Sequence, residues 1–166
     1  MTSPLHPDAT SWEEGAGEWK SHPFLKDFSP EHLAVLTECA MPSGFAADEV
    51  IFREGELANR FYLILGGCVI LETQAPDSSW VKVDALSAGD VLGWSWLFVP
   101  YVWNFTARAT SSVRAVFFYG TWLRERCATD PVFGYELMRR MAGVVVRRLQ
   151  GTRLQLIRCE GRLRAI

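Results

Sequence analysis

The densest chemistry in this 166-residue chain lies in Trp94-Ser95-Trp96-Leu97-Phe98-Val99-Pro100-Tyr101-Val102-Trp103, five aromatic side chains in ten residues. No Asp, Glu, Lys, Arg or His occurs between Gly93 and Ala107. Flat, rigid, amphipathic rings with no titratable neighbour suit stacking rather than proton transfer, and would take an aromatic, heterocyclic or lipid-like molecule. Ser95 and Asn104 could orient such a ligand. A quaternary ammonium group would be held through cation–π contact.

Other chemistries lack their residues. His6, His22 and His32 all precede the stretch where strands begin, so a β-barrel here has no imidazole for a metal or for a Ser-His or Cys-His pair. Cys39, Cys68, Cys127 and Cys159 form no Cys-x-x-Cys pair, which excludes a zinc ribbon or a thioredoxin-type redox pair. The expectation is no catalytic residue, no metal and no cofactor. Scattered thiols, with no basic-then-apolar signal at the N-terminus, point to the cytoplasm. No apolar run is long enough for a membrane span. With 49% hydrophobic and 22% charged residues the chain can bury one ordinary core.

The net charge of −2 hides a split. Residues 1–120 carry 7 basic and 15 acidic side chains, whereas residues 121–166 carry 10 Arg and 4 acids. The arginines 139, 140, 147, 148, 153, 158, 162 and 164 read first as a solvated face. A sharper reading sets them against the acidic body of a second protomer or of a partner protein. Nucleic acid ranks third, because no aromatics interleave them.

The elements that must position these residues follow from pattern. Residues 1–20 are rich in Pro, Gly, Ser and Glu and read as a flexible leader, in which Trp12 and Trp19 either dock or hang free. Ser29-Pro30-Glu31 starts a helix running to about Ala40, Ser29 as cap and Pro30 in the first turn. Short apolar runs then recur: Val50–Phe52, Phe61–Leu65, Cys68–Thr73, Trp80–Leu86, Asn104–Ala109 and Val113–Tyr119. Their spacing with intervening turn residues predicts an antiparallel sandwich or barrel. A short helix over Thr121–Ala128 and a long one capped by Asp130 follow. In the long helix Met138, Ala142, Val145, Leu149, Thr152 and Leu156 step by four and three, a heptad seam expected to form a homodimer. The alternative is that this face packs only within its own chain.

This order, with the runs Asp48-Glu49-Val50-Ile51-Phe52-Arg53-Glu54-Gly55-Glu56, Phe61-Tyr62-Leu63-Ile64-Leu65-Gly66-Gly67-Cys68-Val69 and Ser87-Ala88-Gly89-Asp90-Val91-Leu92-Gly93, resembles the cyclic-nucleotide-binding domain of the catabolite-activator and protein-kinase-regulatory type. The resemblance covers roughly residues 22–157. It implies a mainly β fold with flanking helices: a cupin-like jelly roll of about eight strands, an N-terminal helix, a short helix and a long C-terminal helix. Domain boundaries would then be a leader over 1–20, the roll over 21–130, a dimerisation helix over 131–157 and a basic tail over 158–166. Many relatives carry a helix-turn-helix after the long helix. The nine residues beyond Ile157 would not hold one, so sequence-specific DNA reading is expected to be absent.

In that family a phosphate-binding cassette opens Gly-Glu and closes, ten residues after the Gly, in an Arg. The Glu holds the ribose hydroxyl and the Arg pairs with the cyclic phosphate. Here Trp94 stands at the Glu position and Trp103 at the Arg position. Each charge-assisted hydrogen bond is worth roughly 1.5–3 kcal/mol, so losing both removes about two to four decades of affinity. Arg108 could stand in for the missing cation, but it alternates with Thr106 and Asn104, so reaching the cassette would need a bulge or a long side-chain excursion.

Three readings result. In the first, the domain is a sensor for another, apolar or aromatic, small molecule, its site formed by Leu71, Leu86, Gly93, Trp94, Ser95, Trp96, Trp103 and Asn104. In the second, the tryptophans fill the interior and the domain is a ligand-independent dimerisation or protein-interaction module. In the third, the chain binds a cyclic nucleotide through other contacts. An enzyme of the metal-dependent cupin kind is disfavoured by the missing histidines.

Overall fold

The computed structural model describes residues 17–163, with side chains to Cys159. The chain divides into two compact units, one ending at Arg124 and one starting at Glu125.

The first unit opens with two short 3₁₀ turns, Glu18–Ser21 and Pro23–Leu25, and helix α1, Pro30–Thr37. Ser29 caps α1 as its composition predicts, its Oγ accepting the His32 N–H at 3.2 Å. Eight strands follow: β1 Ala40–Phe45, β2 Val50–Phe52, β3 Arg60–Gly66, β4 Cys68–Gln74, β5 Trp80–Ser87, β6 Val91–Leu92, β7 Thr106–Ala109 and β8 Val113–Tyr119. They form two antiparallel four-stranded sheets, β1-β8-β3-β6 and β2-β7-β4-β5. This is the expected β-roll with flanking helices. Gly67, at φ +87°, makes the β3–β4 turn. A Cβ there would lie 2.2 Å from the Ser112 carbonyl oxygen, so only glycine fits.

One core lies between the sheets: Phe52, Tyr62, Ile64, Val69, Leu71, Leu86, Leu92, Trp103, Ala107, Ala109, Val113, Ala115 and Phe117 with Ala58. The alternate residues of β3 and β8 face the other way. There Phe61 stacks on Phe118, Phe24 packs edge-on to Phe61, and Trp19 packs edge-on to Phe118. Trp19 is 5% exposed, so this indole docks on the roll. Trp12 lies outside the described residues.

Two elements differ from expectation. β1, Ala40–Phe45, and β6, Val91–Leu92, have no counterpart among the apolar runs read as strands. Pro42 and Gly44 mask β1 in sequence, yet an edge strand tolerates both because one side makes no ladder bonds.

The second unit holds the remainder of α2, Gly120–Thr129, and all of α3, Pro131–Leu163. Asp130 caps α3, its carboxylate accepting the Phe133 N–H at 3.1 Å. Phe133, Leu137, Met141 and Val144 are buried. Met138 and Val145 are half-buried, and Ala142, Leu149, Thr152 and Leu156 are exposed. Exposed Tyr135 continues their seven-residue repeat toward the N-terminus. Among the described residues no helix is long and apolar enough to cross a membrane.

Candidate functional site

The candidate site is the segment joining β6 to β7. After Leu92 the chain turns at Gly93, φ +87°, and makes a 3₁₀ turn over Ser95–Leu97. It then passes a cis Val99–Pro100 bond and Tyr101 at φ +57°. Its far end is fastened to the β2–β3 connection. The Trp103 N–H donates to the Glu56 carbonyl at 2.9 Å, the Gly55 N–H to the Trp103 carbonyl at 2.9 Å, and the Ala58 N–H to the Tyr101 carbonyl at 2.7 Å.

These backbone bonds aim the Trp103 side chain into the roll. Its ring lies on Phe52 with centroids 3.7 Å apart and planes within 10°, and the residue is 5% exposed. The ring also covers Gly93, where an added Cβ would sit 2.7 Å from Trp103 Cζ3. Leu71 and Leu86 belong to the same core cluster. Four of the eight expected residues, Leu71, Leu86, Gly93 and Trp103, thus gather in the interior.

The other four go elsewhere. Trp96 is fully buried on the opposite side of the β3 sheet, stacked on Phe61 at 5.5 Å, with its Nε1 buried and no acceptor in reach. Trp94 is half-buried and packs edge-on to Phe98 at 6.1 Å, and Phe98 itself is exposed. Ser95 is buried, and its Oγ accepts from Asn104 Nδ2 at 3.0 Å. The aromatic run therefore sends its rings to three different places.

Arg108 faces outward, as its alternation requires. Its Nε donates to Glu72 at 2.9 Å and its Nη1 to the Asp48 carbonyl at 3.3 Å. It supplies no cation to the interior.

Three contributors escape a sequence reading. Phe52 lies 51 positions before Trp103 and meets it only through the β2–β7 pairing. Arg60, at the start of β3, lays its guanidinium over Phe117 at 4.6 Å and Tyr119 at 5.5 Å. Burial pushes the pKa of neighbouring Tyr62 up, and Arg60 opposes that shift. Arg124, in the first turns of α2, reaches back to the segment: its Nη1 donates to the Trp96 carbonyl at 2.6 Å. No local signal marks any of the three.

Burial pushes the Cys39 thiol up to about 12, which leaves it inert. Burial is also the largest cause of the lowered His22 pKa, against opposing Asp90 and Ile64 backbone contacts and the Asp90 charge. Among the described residues no group of three or more His, Cys, Asp or Glu could hold a metal ion.

Residues 43–130 match the family model of the cyclic nucleotide-binding domain. A CRP-like cAMP-activated global transcriptional regulator of Mycobacterium tuberculosis (strain H37Rv) is 31% identical over 123 residues, 74% of this chain and 53% of that protein. The chain spans about half the length of the curated relatives it matches. A solved structure from Geobacter metallireducens GS-15 superposes with a TM-score of 0.72 at 30% identity. The match covers 80% of this chain and 96% of that one. The catabolite activator protein of Thermus thermophilus superposes with a TM-score of 0.64 at 19% identity, covering 83% and 63%, a likeness of fold.

Proposed function

This chain belongs to the cyclic nucleotide-binding domain family, and from that premise we propose that it is a regulatory member working without a cyclic nucleotide, its roll interior filled by Trp103. The observation that carries this reading is the ring of Trp103, pressed on Phe52 at 3.7 Å and lying over Gly93. A ligand entering that volume must displace an indole whose removal from a packed core costs about 3–5 kcal/mol. It would meet no charged residue between Gly93 and Ala107 to compensate. Within that segment a phosphate would find no cation to offset its desolvation.

The function that remains is to hold a fixed regulatory shape and present it to a protein partner. Homodimerisation through α3 fits that role. Tyr135, Ala142, Leu149 and Leu156 recur every seven residues and are exposed, and Met138, Val145 and Thr152 fill the intervening positions. A second copy laid along this stripe would bury it. Four cysteines without a disulfide, two of them exposed, suit a reducing cytoplasm.

Isothermal calorimetry with cyclic AMP and cyclic GMP tests the reading. The expected outcome is no binding tighter than about 100 μM. A low-micromolar constant would overturn it. A change in melting temperature on adding an apolar or aromatic metabolite would instead restore the sensor reading.

A further inference from the structure

If the interior is filled, something other than a ligand must fix the cassette segment, and α2 carries the residue placed to do so. Arg124 makes three contacts through its planar head. Nη1 donates to the Trp96 carbonyl at 2.6 Å, Nη2 donates to Thr121 Oγ1 at 3.3 Å, and the guanidinium lies 4.3 Å from the centroid of the Tyr101 ring. The Trp96 carbonyl lies within the 3₁₀ turn, and Tyr101 closes the segment at φ +57°. One cation therefore grips both ends of the loop Trp96–Tyr101.

The approach is prepared by its neighbours. Gly120 lets the helix start come against Trp96, since a Cβ there would lie 2.9 Å from Trp96 Cβ. The Gly120 N–H donates to the Asn59 carbonyl at 2.7 Å, which ties the same turn of α2 to the β2–β3 connection. That connection in turn receives the loop through Ala58 and Tyr101.

We propose that Arg124 is a positioning residue that fastens the cassette segment to the first turns of α2, so that the two order and loosen together. The proposal rests on the ligand-free reading above. The planar head is essential to it: a guanidinium can donate in two directions while stacking on a ring, whereas an ammonium is a compact point charge.

Amide hydrogen exchange on the full chain tests this. The Leu97, Phe98 and Tyr101 amides are bonded within the loop, to the carbonyls of Trp94, Ser95 and Phe98, and the Ala58 amide is bonded to Tyr101. A hydrogen bond to a charged group contributes roughly 1.5–3 kcal/mol, which is about ten- to a hundredfold in an opening equilibrium. Arg124→Ala should accelerate exchange at these four amides, and at Gly120, by about that factor, with the β4 and β7 amides unchanged. Arg124→Lys should recover only part of the protection. Tyr101→Leu should accelerate the same set and add little on top of Arg124→Ala. Acceleration confined to α2, or spread evenly over both sheets, would overturn the proposal, as would full protection in the Lys variant. Nucleotide binding by the unaltered chain is a separate failure, seen by calorimetry, and leaves the exchange result to be read by itself.

Discussion

Trp103 belongs to an apolar interior. An arginine at this position would need an anion to offset its burial, whereas an indole needs only apolar neighbours, and Phe52, Leu71 and Leu86 supply them. Its backbone is bonded on both sides to the Gly55–Glu56 turn, so the ring has little freedom to swing out. Trp103→Ala should therefore destabilise the chain by about 3–5 kcal/mol, read from urea unfolding at constant m-value. A loss below about 1 kcal/mol would mean the interior collapses without the ring or that the ring is not seated. The aromatic run itself was legible in sequence, since it needs only a count from Gly93 to Trp103. Where each ring would point was not: Trp94, Trp96 and Trp103 lie in one short run, yet the 3₁₀ turn and the left-handed Tyr101 send them apart.

Among the elements, the N-terminal segment gains a role its composition concealed. Trp19 and Phe24 close the outer face of β3 and β8, and His22 sits between them, 4% exposed, with Nδ1 accepting the Phe24 N–H at 3.2 Å. Burial depresses the His22 pKa below its ordinary 6.5. The unfolded chain therefore binds a proton that the folded chain refuses, and stability falls as pH drops through about 6.5. Thermal unfolding between pH 7.5 and 5.5 should show this slope, and His22→Gln should flatten it. A slope unchanged by the substitution would assign it to another group. The Glu18 carboxylate, held below 4.5 mainly by its hydrogen bond to Arg114, begins to act only at lower pH. In β7 the inward Ala107 and Ala109 were readable from period two, although Thr106 on the other face is buried as well. β1 was not, since its pairing with β8 outweighs the poor strand propensity of Pro42 and Gly44.

At the scale of the whole molecule the charge split becomes a statement about association. From Leu137 to Cys159 the chain has six arginines and no acidic residue. Arg140 is paired with Glu136 at 2.9 Å on its own helix, and two copies joined along Met138, Ala142, Val145, Leu149, Thr152 and Leu156 in parallel would bring the other arginines of each copy alongside those of its partner. The seam must then work against repulsion, and its apolar content is modest: Ala142 and Thr152 bury little. Screening should help it. The Debye length shortens from about 10 Å at 0.1 M salt to about 3 Å at 1 M, so sedimentation equilibrium should find a tighter dimer at the higher salt. Val145→Glu with Leu149→Glu should give monomer at either salt, while a persistent dimer would move the interface off this stripe. A dimer that loosens with salt would place the arginines against acidic residues of a partner's roll, because attraction between opposite charges is what salt weakens.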